Sequence, residues 1–142
     1  MLTVSLKGLV QIMFEMKENY LTGIKMIDEE HQELFRITNE AYEVLKDEFI
    51  TDKFDHIVTL IESLKEYTKK HFADEEAYME SIQYKRMFTQ KIEHAEFVEK
   101  LEEIDFDQMD RNQTDTLLKL LEFLGDWLVH HILEKDKLIG TV

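Results

Sequence analysis

Cysteine and proline are absent from the chain, and glycine occurs only at Gly8, Gly23, Gly125 and Gly140. Without thiols there is no disulfide, no thiolate zinc site and no iron–sulfur cluster, so any metal has to be held by histidine nitrogen and carboxylate oxygen. With no proline, and no glycine between residues 24 and 124, little in the backbone chemistry interrupts long helices. Positive charge is scarce as well: 17 Lys and Arg stand against 31 Asp and Glu, a net charge of -14. That balance repels phosphodiester backbones and anionic lipid headgroups and suits cation capture, which argues against nucleic acid and membrane partners.

Long apolar runs are missing too. None approaches the roughly 20 residues that a spanning helix needs. The opening "MLTVSLKGLVQIM" is cut by Lys7 and Gln11 and carries no small-residue cleavage site, so it does not read as a signal peptide, and a cytoplasmic protein is expected. At 142 residues the chain is expected to build one core.

Four segments carry apolar residues at helical period. The first starts near Asp28 as N-cap and presents Leu34, Phe35, Thr38, Ala41, Tyr42 and Leu45. The second starts at about Thr51 and presents Phe54, Ile57, Ile61, Leu64 and Thr68, continuing into His71, Glu75 and Met79 until a break at "SIQY". The third carries Met87, Gln90, His94, Phe97 and Leu101. The fourth starts near Asn112 or Thr114 and carries Leu117, Leu121, Leu124, Trp127, Leu128, His131 and Ile132. The predicted fold is all-α: an up-down-up-down antiparallel four-helix bundle over residues 26–138, preceded by an N-terminal arm over residues 1–25.

The polar residues on these stripes need explaining. At about 100° per residue, His71 and Glu75 fall on the inner face of the second helix, and Gln90 and His94 on that of the third. An unpartnered buried carboxylate costs several kcal/mol, against a total stability of about 5–15 kcal/mol for a domain of this size. A metal ion would turn that cost into binding energy. Taken singly, each inward histidine is better read as a hydrogen-bonded core residue, and Glu75 could pair with Lys or Arg. That reading weakens because His31, His71, Glu75, His94 and His131 all project inward, from four different helices. His56 lies roughly 22 Å along the helix from His71, and His130 is about 100° away from His131, so both are expected to be structural or solvent-facing. Glu76 is expected at the surface or behind the site.

The motifs "NYLTGIKMIDEEHQELF" (19–35), "HFADEEAYM" (71–79), "HAEF" (94–97) and "WLVHHILEKD" (127–136) resemble, in order and spacing, those of the hemerythrin family. The resemblance covers about residues 19–137. It implies a non-haem di-iron centre, two iron ions joined by an oxo or hydroxo bridge, with dioxygen as reversible ligand. His31 and His71 would hold one iron, His94 and His131 the other, and Glu75 and Asp136 would bridge them. Asp136 lies an i, i+5 step beyond His131, about 140° around a regular helix, so the last turn has to unwind to bring it inward. Leu34, Phe72, Trp127, Leu128 and Ile132 match the apolar lining around bound dioxygen. The family's pattern has a further histidine where this chain has Gln90, whose carbonyl is a weaker ligand and could yield the place to water.

The favoured function is a dioxygen carrier, scavenger or sensor module. The alternatives are a di-iron enzyme acting on peroxide or nitric oxide, and an iron-binding protein with a modified site. The enzymatic alternative ranks lower because no substrate channel or added general acid is evident. The partner is a small diatomic ligand, with no protein partner indicated.

Overall fold

The computed structural model describes residues 17–141. The part of the arm expectation that falls on residues 1–16 lies outside them. A single 3-10 turn, Glu18–Tyr20, leads to α1 (Lys25–Lys46), α2 (Phe54–Ser81), α3 (Met87–Glu102), the short α4 (Phe106–Arg111) and α5 (Gln113–His131). A π-helical turn, Ile132–Asp136, then runs into a last helical turn, α6 (Lys137–Ile139). No strand occurs among the described residues. The expected all-α bundle is present, with α1, α2, α3 and α5 as its long members.

Each long helix buries the stripe that its periodicity predicts. Ile57, Ile61, Leu64, Thr68, His71, Glu75 and Met79 are all buried along α2, and Leu117, Leu120, Leu121, Leu124 and Leu128 along α5. Two threonines share that core without penalty. The Thr38 hydroxyl donates to the Leu34 carbonyl at 2.8 Å and that of Thr68 to the Leu64 carbonyl at 2.6 Å, so neither is an unmet donor. α1 packs on α2 and α5, and α2 packs on α3. His31, near the start of α1, meets His71, near the end of α2, and Asp136, just beyond the end of α5. Such meetings require α1 to run antiparallel to both.

The first helix departs from expectation at its start. It begins at Lys25, and Asp28 is not its N-cap. The Asp28 carboxylate instead reaches backwards, accepting from the Thr22 amide and hydroxyl, both at 2.8 Å, and from the Gly23 amide at 3.1 Å. Gly23 sits at φ +85°, a left-handed conformation that suits a residue without Cβ. The second helix starts at Phe54, later than Thr51: Asp52 Oδ1 accepts from the Phe54 amide at 3.1 Å, and the Lys53 ammonium donates to the Asp47 and Ile50 carbonyls of the preceding turn. α2 ends where foreseen, with Gln83 at φ +51° in the turn that follows.

The described part of the arm docks on the bundle. Tyr20 is buried with its ring stacked on Phe35 at 5.8 Å. Thr22 packs against the far end of the chain: a Cβ built on Gly140 would stand 1.9 Å from the Thr22 carbonyl oxygen. The last helical turn and the turn before α1 therefore close on each other over the end of the bundle that carries the histidines.

Candidate metal centre

Four imidazoles and two carboxylates converge between α1, α2, α3 and the end of α5, all of them at most 3 % exposed. Each helix supplies its part through the stripe described above, and Asp136 arrives through the π turn. In that turn the chain takes one residue more per turn than an α-helix, so a side chain at i+5 regains the face that i+4 would have had. The unwinding expected of this segment is thus present.

Both carboxylates divide their oxygens between two groups of histidines. Glu75 Oε2 lies 3.7 Å from His31 Nε2 and 3.5 Å from His71 Nε2, while Glu75 Oε1 lies 3.0 Å from His94 Nε2 and 4.0 Å from His131 Nε2. Asp136 Oδ2 lies 3.0 Å from His31 Nε2, and Asp136 Oδ1 lies 3.0 Å from His131 Nε2. Two four-residue sets result, His31, His71, Glu75 and Asp136, and Glu75, His94, His131 and Asp136. Within each, the donor atoms lie within 4.8 Å of one another.

Behind the imidazoles stands a second layer of acids. Glu30 Oε1 accepts from His71 Nδ1 at 2.8 Å, and its other oxygen accepts from Lys70 at 2.7 Å. Glu76 Oε2 faces His94 Nδ1 at 2.8 Å, which fits the place expected for Glu76 behind the site. With Nδ1 so engaged, Nε2 of His71 and of His94 is left to face the centre. Glu30 was not foreseen. It precedes His31 by one residue and so falls off the apolar stripe of α1, and only the approach of α2 buries it. His56 and His130 are exposed, as expected.

Aromatic rings brace the pair on α3 and α5. Phe72 stacks on His94 with centroids 4.0 Å apart and planes 7° apart, and Trp127 stacks on His131 at 4.2 Å and 12°. Leu34, Leu128 and Ile132 join Phe72 in one buried cluster, and Trp127 packs against it half-buried. The five residues expected to line a dioxygen pocket thus all belong to the packed apolar core.

Electrostatics and hydrogen bonding test whether a cation fits. Burial alone would lower the His31 imidazolium, but the Asp136 and Glu75 carboxylates outweigh it and hold its pKa up to about 9. Burial would raise Asp136, but His131 and His31 hold its carboxyl well below the usual range. His94 is raised: Glu75 and Glu76 overcome the opposing effect of burial. In the metal-free chain, protons on imidazole thus offset the buried acids. The hydrogen bonding stays incomplete, since His31 Nε2, His131 Nε2, Glu75 Oε2 and Asp136 Oδ2 are buried without a hydrogen-bond partner. His31 Nε2 and Asp136 Oδ2 lie 3.0 Å apart, and His131 Nε2 lies 3.0 Å from Asp136 Oδ1, yet neither pair makes a hydrogen bond. Polar atoms that crowd together without bonding fit cations placed between them.

Comparison with known proteins agrees with this donor set. The sequence model of the hemerythrin HHE cation binding domain matches residues 22–141. A bacteriohemerythrin of Clostridium acetobutylicum is 45% identical over 125 residues, 88% of this chain and 97% of that protein. A myohemerythrin of Sipunculus nudus is 30% identical, over 81% of each chain. A bacteriohemerythrin of Methylococcus capsulatus is 27% identical, over 84% of this chain and 87% of its own. A bundle that gathers histidines and shared carboxylates at its centre, matched by the family model over nearly all its described length, belongs to the hemerythrin family.

Proposed function

We propose that the chain is a non-haem di-iron protein that binds dioxygen reversibly. His31 and His71 would hold one iron, His94 and His131 the other, and Glu75 and Asp136 would bridge them. One observation carries the reading: each carboxylate turns one oxygen to each histidine pair. A carboxylate serving a single ion would not need that split. Nitrogen and oxygen donors with no thiolate are also the set expected of a non-haem iron site.

When bound, the iron pair supplies the electrons that dioxygen takes up on binding and returns on release. The residues of the chain create the conditions for that exchange. Glu30 and Glu76 fix the tautomers of His71 and His94, so that Nε2 is offered inward. Phe72 and Trp127 hold the imidazole planes of His94 and His131. Leu34, Phe72, Trp127, Leu128 and Ile132, all in the packed apolar core, would keep water and protons from the site. No helix among the described residues is long and apolar enough to cross a membrane.

The test is metal content together with an optical spectrum cycled between dioxygen and argon. Two irons per chain and an absorption band that comes and goes with the gas are expected. Irreversible bleaching to the oxidised form in the first exposure would overturn reversible carriage and favour an enzyme acting on peroxide or nitric oxide.

A further inference from the structure

Gln90 lies among the donors of the second half of the site, at 1 % exposure. Its amide nitrogen donates to Asp136 Oδ1 at 3.1 Å, and this is the oxygen that faces His131. An ionised carboxylate only accepts, so the NH2 end of the amide is the end that must face it. The Gln90 carbonyl is thereby turned elsewhere, and Oε1 is buried without any hydrogen-bond partner. An amide committed in this way is not free to swing its oxygen onto a metal without breaking its bond to Asp136.

Without an amide ligand, the two halves of the site are alike. Each has two imidazoles and one oxygen from each of two carboxylates. Two histidines with carboxylate oxygen leave open positions on a ferrous or ferric ion. The second half also lies near solvent, because His94 borders a surface depression of about 510 Å³ and His131 one of about 340 Å³.

We propose that the second half-site takes a small exogenous monoanion of its own, hydroxide or azide in class. Gln90, held back by Asp136, acts toward it as a hydrogen-bonding residue and not as a metal ligand. The inference rests on the di-iron reading above. The unpartnered Gln90 carbonyl is an acceptor for a ligand that carries a proton, as hydroxide does and azide does not, and the residue leaves the place on the metal open to either. The protein would then hold one small ligand at each metal.

The experiment counts azide bound to the full-length, iron-loaded, oxidised protein by calorimetry and absorption, with iron measured on the same sample. Two irons and two azides per chain are expected. Gln90→His, which adds an imidazole donor, should bind one azide. Gln90→Ala should still bind two, with the second affinity about unchanged, because azide has no proton to give the Gln90 carbonyl. Two irons with one azide in the unaltered protein, or two azides in Gln90→His, would overturn the inference and leave the di-iron reading intact. Fewer than two irons per chain would overturn both.

Discussion

Asp136 Oδ1 stands 3.0 Å from His131 Nε2 although it follows that residue by five positions along one continuous helical path. The π turn between them makes the contact, and the other Asp136 oxygen reaches His31 on α1 at the same 3.0 Å. One carboxylate therefore ties the last donor-bearing segment to the first. Asp136→Asn keeps the shape and removes the charge. In the metal-free protein, the His31 titration followed by NMR should move down from about 9, because Asp136 is the leading influence that raises it. An unmoved titration would show that Glu75 alone sustains it.

Metal-free and metal-loaded protein should respond oppositely to pH. The folded pKa of His31, about 9, lies above its ordinary 6.5, so the folded chain holds that proton more tightly than the unfolded chain does. The stability this contributes is complete below 6.5 and is lost as pH rises through about 9. Metal requires the neutral imidazole, so apparent metal affinity should rise about tenfold per pH unit across the same window through this proton alone. Urea midpoints of the metal-free chain at either end of the window, and calorimetry in buffers of different ionisation enthalpy, check both halves. Absence of proton release on metal uptake at neutral pH would contradict the assignment.

Glu30 should matter to the metal more than to the fold. Glu30→Gln leaves the side-chain volume but takes the charge from behind His71, and outer carboxylates of this kind are typically worth about 10–100-fold in metal affinity. Competition against a chelator measures that loss. Lys70→Ala should cost far less, because Lys70 is 60 % exposed and its pairing with Glu30 is screened by water. Equal losses in the two variants would place the effect in the salt bridge and not in the histidine.

Much of this arrangement was legible in the sequence, for a physical reason. A helix writes its buried face at a fixed period, so Leu64, Thr68, His71 and Glu75 could be placed on one line, and residues 87–101 on another, without knowing what they faced. The need for an unwound turn before Asp136 could be read in the same way, as a mismatch between five residues and the helical repeat. What could not be read depends on contacts between segments. Glu30 gains its burial from α2, not from its own helix. Asp28 binds backwards to Thr22 and Gly23, which moves the helix start to Lys25. The six-residue α4 buries Met109 alone, too little to show a period. The role of Gln90 depended on Asp136, 46 residues away, whose charge selects the end of the amide that faces it.

The stacking of Trp127 on His131 has a practical consequence. The chain has a single tryptophan, and its ring lies flat against one of the imidazoles at the centre. All indole fluorescence of the molecule therefore originates beside that imidazole. The protein carries its own optical probe of the second half of the centre, with no label added.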